Sequence, residues 1–109
     1  MAGKSERRLK LEAALAADPS DSFLRYGVAV QCLREGDTEA GREGLRALIA
    51  DRPDAPDTVA AYQQLGQSYM ESGDVEEARS VLRQGMAKAR DAGDAHAEGE
   101  MRGFLELLP

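Results

Sequence analysis

The sequence predicts an all-α fold, a stack of helix–turn–helix units, and three observations carry that prediction. Alanine, leucine, glutamate and arginine dominate, tryptophan is absent, and residues that favour strands are few: Val28, Val30, Val59, Val75, Val81, Ile49 and some threonines. Pro19 and Pro53 stand 34 residues apart, each after an alanine- and leucine-rich segment (LAADP, LIADRP). The dipeptide Gly36-Asp37 returns 37 residues later as Gly73-Asp74. A period of 34 is that of a helix–turn–helix repeat. The step of 37 is the same period with three residues inserted near Ala55-Pro56-Asp57.

Six helices follow in order. The first is expected over Ser5 to Ala17, with Leu11 and Leu15 on one face. The second runs from Asp21 to Glu35 and the third from Asp37 to Asp51. The fourth starts at Asp57 or Thr58 and ends near Ser72, the fifth spans Asp74 to Ala92, and the sixth Asp94 to Leu108. Gly36 and Gly73 stand where a helix end takes the left-handed conformation. Asp37 and Asp74 are then expected to cap the next helix by accepting from free N–H groups. Glu77 comes close to completing a capping box with Asp74. Glu39, Glu76 and Glu77 complement the helix dipole. Pro19, Pro53 and Pro56 stop helices in the linkers, and Gly93-Asp94 repeats the stop-and-cap pattern without proline.

Charge and cysteine content narrow the function classes. The 109 residues carry a net charge of −6, with arginines interleaved among acids, so no basic stripe for nucleic acid is expected. No apolar run suits a signal peptide or a membrane span. Cys32 is the single cysteine, which excludes an intrachain disulfide and favours a reducing, cytoplasmic setting.

One stretch carries a family resemblance. Tyr62-x-x-Leu65-Gly66-x-x-Tyr69…Ala78-x-x-x-Leu82 resembles the tetratricopeptide repeat (TPR), with tyrosine for tryptophan and leucine for phenylalanine. Arg90 stands where that family's proline would be, so the fifth helix is expected to run on. The resemblance implies an α-solenoid of antiparallel helix pairs, as in small stand-alone bacterial members. In it Gly66 and Ala78 mark the closest approach of paired helices, and Tyr62, Leu65, Tyr69 and Leu82 fill the surrounding core.

Ser22 to Ala55 is a weaker copy. There Val28 takes the leucine place, Ala29 the glycine place, Cys32 the tyrosine place, Gly41 the alanine place and Leu45 the phenylalanine place. Arg25 falls where a large aromatic belongs. Leu11 and Leu15 match Leu45 and Ile49, so the first helix resembles half a repeat. A single domain over 1–109 is therefore expected: an N-terminal half repeat (5–17), repeats at 22–55 and 59–92, and a closing helix at 94–108. Ala97, Met101, Phe104, Leu105 and Leu108 give that last helix its apolar face.

No chemistry is expected. His96 is the only histidine and reads as an exposed helix-start residue, without the companions a metal needs. Cys32 reads as a buried thiol rather than a nucleophile. The phosphate-cradling and nucleophile-elbow patterns are absent. Neither catalysis nor a cofactor or metal is therefore expected.

The resemblance instead implies a concave face, lined by the first helix of each pair, that binds a peptide or partner helix. The positions carried over are Phe23, Tyr26, Val30, Leu33 and Arg34, then Ala60, Gln63, Gln67, Met70 and Glu71. Phe23, Tyr26, Val30 and Leu33 form a helical stripe distinct from Val28, Ala29 and Cys32, which should face the paired helix. The expected contact surface is Phe23, Tyr26, Val30 and Leu33, extended by Gln63, Gln67 and Met70. Some members clamp a peptide carboxylate with lysines and asparagines there; Tyr26, Val30, Gln63, Gln64 and Gln67 hold those places, so that ligand is not expected. A protein–protein scaffold follows, with self-association into a homodimer through the same stripe as the alternative. The partner's identity is not written in the sequence.

Overall fold

The computed structural model describes residues 3–109. Among them are six helices and no strand: α1 (Glu6–Ala17), α2 (Ser22–Arg34), α3 (Thr38–Asp51), α4 (Thr58–Glu71), α5 (Val75–Asp91) and α6 (Ala95–Leu107). They form two compact units, one ending at Asp57 and the other running from Thr58 to Pro109. In the first, α2 packs on both α1 and α3. In the second, α5 packs on α4 and α6, with a smaller α4–α6 contact. The fifth helix does continue past Arg90.

The turns have one construction used three times. Gly36, Gly73 and Gly93 have φ of 82°, 77° and 73°. The N–H of the following aspartate reaches back to Cys32, Tyr69 or Ala89, and the glycine N–H to Leu33, Met70 or Arg90. Each pair of bonds satisfies carbonyls that a helix end leaves open.

The capping expectation holds in part. Ser5, Asp21 and Asp94 accept from the N–H of Arg8, Leu24 and Ala97. Asp37 and Asp74 occupy the cap positions but make no side-chain cap bond, so the capping box with Glu77 does not form. Asp37 has a stronger attraction, since its carboxylate accepts from Arg8.

Close approach is achieved differently in the two pairs. In the second unit a Cβ at Gly66 would lie 2.6 Å from Cδ2 and 2.8 Å from Cγ of Leu82, which is fully buried. In the first unit the glycines are on the other helix. A Cβ at Gly41 would lie 2.6 Å from Leu33 Cδ2 and 3.0 Å from the Ala29 carbonyl oxygen, and one at Gly44 would lie 3.1 Å from Ala29 Cβ. Gly85 is a further tight point, where a Cβ would meet Met101 Sδ at 2.6 Å and Tyr62 Cβ at 2.7 Å.

The second unit's core gathers Val59, Leu82, Ala89, Ala97 and Met101, with Tyr62, Met70, Met86, Phe104, Leu105 and Leu108 against it. In this way α6 closes the apolar side of α5. Leu65, Tyr69 and Ala78 are buried as well. In the first unit Ala29, Cys32, Leu45 and Leu48 are buried. Leu11 is only half-buried, in contrast to the fully buried Leu45 it matches, while Leu15 is half-buried like its counterpart Ile49. Arg25, in the aromatic's place, donates to Asp51 of α3 at 2.9 Å.

Candidate functional site

The first unit offers two features: the face of α2 turned away from its neighbours, and the polar cluster that fastens α1. Helical geometry of 3.6 residues per turn puts Phe23, Val30 and Arg34 within an arc of about 40°, with Tyr26 about 60° from Phe23. Phe23 is 67% exposed, Arg34 is exposed, and Tyr26 and Val30 are half-buried. Ala29 faces Gly41 and Gly44 of α3, and Gly27 faces Leu11 of α1 at 3.6 Å. The Phe23 stripe thus lies between the lines of contact with α1 and α3.

Leu33 departs from the expected stripe. Its side chain lies over Gly41 of α3, filling the space that the missing Cβ leaves. It belongs to the α2–α3 packing.

In the second unit, Gln63 and Gln67 are one helical turn apart on α4, both half-buried. Met70 packs against that unit's core. The α2 and α4 residues of the expected contact surface lie in different units.

The polar cluster was not expected from the sequence. Arg8, only 7% exposed, is the buried residue of α1. Its Nη1 donates to Asp37 Oδ2 at 3.0 Å and lies 3.8 Å from Glu35 Oε1, while its Nε donates to Glu12 at 3.3 Å. Ser5 Oγ donates to Glu35 Oε2 at 2.5 Å and accepts from the Arg8 N–H at 3.0 Å. Gln31 donates to the same Glu35 oxygen at 2.9 Å, and Lys4 to Glu12 at 3.0 Å. Glu35 caps the C-terminal end of α2, so the Arg8 charge also complements the negative end of that helix.

The titration behaviour follows from these contacts. The hydroxyl of Ser5, then Gln31, hold Glu35 below its ordinary value. Lys4 does the same for Glu12, assisted against burial by Arg8. Burial pulls against the charge on Arg8, but Asp37 and Glu12 together raise its pKa. Burial pushes the Cys32 thiol up, with Arg8 pulling only partly the other way. Cys32 is thus a buried, free and protonated thiol.

A signal for the cluster was present in the spacing. Arg8, Arg42 and Arg79 stand 34 and 37 residues apart, the same steps as the prolines and the Gly-Asp turns. All three side chains are largely buried, at 9%, 8% and 22% exposed. Arg42 pairs with Glu39 at 3.7 Å and Arg79 with Glu76 at 2.7 Å.

Other titratable groups lie on the surface. His96 is exposed and 3.0 Å from Glu100. Glu98 receives Arg90 and Arg102 on the flank of α6. Among the described residues no group of three or more His, Cys, Asp or Glu side chains is placed to hold a metal ion. Among them, too, no helix is long and apolar enough to cross a membrane.

Comparison with known proteins agrees with this architecture. The tetratricopeptide repeat family profile matches residues 33–98, more than half of the chain. The chain is 35% identical over 98 residues to the TPR repeat-containing protein PA0015 of Pseudomonas aeruginosa, covering 90% of each. Its fold is similar to the solution structure of protein BPP2914 from Bordetella parapertussis, with a TM-score of 0.79 and 26% identity over 94% of this chain and 86% of that one.

Proposed function

This chain belongs to the tetratricopeptide repeat family, whose members generally mediate protein–protein interaction, and on that premise we propose that it is a non-enzymatic scaffold that binds a peptide or partner helix through the first helices of its repeats. In the first unit the contact is the α2 face bearing Phe23, Tyr26 and Val30. In the second it is α4, where Gln63 and Gln67 supply polar contacts beside Met70.

The observation that carries this function is the exposure of Phe23, 67% open on a helix whose only other exposed residue is Arg34. Fully burying such a side chain is worth about 1.5–3 kcal/mol, and buried aromatic anchors are frequent hot spots of interfaces. A cytoplasmic location fits a buried and free Cys32.

A peptide-display selection against the intact chain, repeated on Phe23→Glu, tests the function. Selected peptides should lose at least about tenfold in affinity on the variant, the loss of one modest anchor. Peptides that bind both proteins equally would remove α2 from the contact surface.

A further inference from the structure

The first and last helices of the chain are unlike halves of a repeat. Leu11 of α1, Leu45 of α3 and Leu82 of α5 stand 34 and 37 residues apart, so α1 corresponds to the second helix of a pair. Asp57-Thr58, where α4 begins, is followed 37 residues later by Asp94-Ala95, where α6 begins, so α6 corresponds to a first helix. A bond at the other end of α6 agrees with that register. Arg79 of α5 donates to the Pro109 carbonyl after α6, as its counterpart Arg8 lies against Glu35 at the end of α2.

Each of these helices leaves open a face that its counterparts bury. In the second unit Leu82 fills the space at Gly66 of α4 and shares a core with Ala97 and Met101 of α6. Leu11 is half-buried and has the second kind of contact, lying against Gly27 of α2. Beside it is a groove lined by Glu6, Arg7 and Lys10. On α6 the counterpart of Gly66 is Gly103, where an added Cβ would meet nothing within 4 Å. The counterpart of Met70, which packs on the unit's core, is Leu107, and it is 74% exposed. Gly103, Glu106 and Leu107 lie within an arc of about 100° on the side of α6 opposite Met101.

The contacts inside the two existing pairs give the register of a third. Leu82 at Gly66 becomes Leu11 at Gly103, and Leu33 over Gly41 becomes Leu107 over Arg7. Ala29 beside Gly44 becomes Gly103 beside Lys10. Antiparallel counting from Gly103 and Leu11 then brings Glu106, one turn on, to Arg7, one turn back. The charges agree with this pairing. Lys10 is held by Glu6, and Glu98 by Arg90 and Arg102, whereas Arg7 and Glu106 stand exposed. The stem of Arg7 is long enough to cover Leu107 while its head reaches the carboxylate. Arginine and lysine in place of Gly41 and Gly44 set this pair wider than α2 and α3.

We propose that α6 of one copy docks antiparallel on α1 of another, the two completing a repeat between them, with Leu11 and Leu107 as apolar contacts and Arg7 against Glu106 as the charge pair. The contact joins unlike surfaces and is separate from the α2 face. One helix face per copy falls at the small end of specific interfaces, so association depends on concentration.

Sedimentation equilibrium over a wide concentration range tests this, with circular dichroism confirming that each variant is folded. The wild-type mass should rise above 11.8 kDa with concentration. Gly103→Arg blocks the α6 face and Arg7→Glu the α1 face; each should weaken association at least about tenfold. Mixing the two variants leaves one good α6 and one good α1, so the mixture should reach twice the monomer mass and stop there. Arg7→Glu combined with Glu106→Arg in one chain should regain association, because the charge pair is restored in reverse. A wild-type monomer throughout the range would overturn the proposal. So would a mixture that stays monomeric, or a charge-exchanged chain no better than Arg7→Glu alone. Association abolished by Phe23→Glu but indifferent to Gly103→Arg would place the contact on α2 and overturn it too.

Discussion

Replacing Gly66 by alanine sets two known effects against each other. In a helix interior the change from glycine to alanine should gain about 1 kcal/mol. The added Cβ, however, would lie 2.6 and 2.8 Å from Cδ2 and Cγ of Leu82. Cγ is the branch point of a side chain with no exposed surface, so Leu82 cannot swing aside into solvent. Overpacking of this kind costs about 1–3 kcal/mol. A net loss of up to about 2 kcal/mol is expected, with a fall in Tm of about 4–8 °C for each kcal/mol in a domain of this size.

Gly99→Ala is the control, since a Cβ there meets nothing within 4 Å; it should stabilise by about 0.5–1 kcal/mol. A Leu82→Ala background supplies the decisive comparison. With the leucine removed, the same change at Gly66 should become stabilising by about 1 kcal/mol, a coupling of about 1–3 kcal/mol. Urea unfolding followed by circular dichroism measures all four proteins. The close-packing account is refuted if Gly66→Ala stabilises as much as Gly99→Ala, or keeps its sign when Leu82 is alanine.

Gly85→Ala should destabilise at least as much as Gly66→Ala, because Tyr62 Cβ, at 2.7 Å, is anchored to its backbone; the same urea titration reads it. Arg8→Met keeps most of the apolar stem but removes the hydrogen bonds to Asp37 and Glu12, and charged bonds of that kind are worth about 1.5–3 kcal/mol. Amide exchange should then quicken in α1 more than in α5. Glu12 and Glu35 are held below their ordinary values in the folded chain. Their contribution is therefore complete above the ordinary carboxylate range and is lost as pH falls through their lower folded values. Urea midpoints from pH 6 to 3 should fall, and Glu35→Gln should flatten that slope. Alkylation of Cys32 should be slow in the native protein and quicken in Arg8→Met, because the buried thiol is reached only when the cluster opens.

The features legible in the sequence were those with local causes. A left-handed glycine followed by aspartate marks the end of a helix within three or four residues, and all three such turns stand where the Gly-Asp pairs put them. The apolar spacing of Ala97, Met101 and Leu105 needs only the helical period to be read. Arg8 was illegible from its local sequence for the opposite reason, its one signal being the repeat spacing to Arg42 and Arg79. In SERRLKLE it looks like any solvated charge, and the acids that bury it are 27 and 29 residues away. The local sequence makes the aspartate of each turn a cap, but at Asp37 that local bond gives way to Arg8. Leu33 fits a stripe by spacing alone; the vacancy at Gly41 that draws it toward α3 lies on another helix. On the candidate face, spacing identified Phe23, Tyr26 and Val30 without revealing which of them is most open.

The opposite placement of the glycines in the two pairs bears on how the chain avoids folding errors. Repeated units of similar sequence risk joining a helix of one hairpin to the complementary helix of the other. Here such a mismatch is penalised by shape. Joining α2 to α5 would set Ala29 against Ala78 and Val81, with no glycine on either side to admit the approach. Joining α4 to α3 would set Gly66 against Gly41 and Gly44 and leave a hollow. Crowding and cavities each cost on the order of a kcal/mol or more. Each hairpin is thereby keyed to its own mate, and a chimera exchanging α3 for α5 would need its glycines exchanged as well.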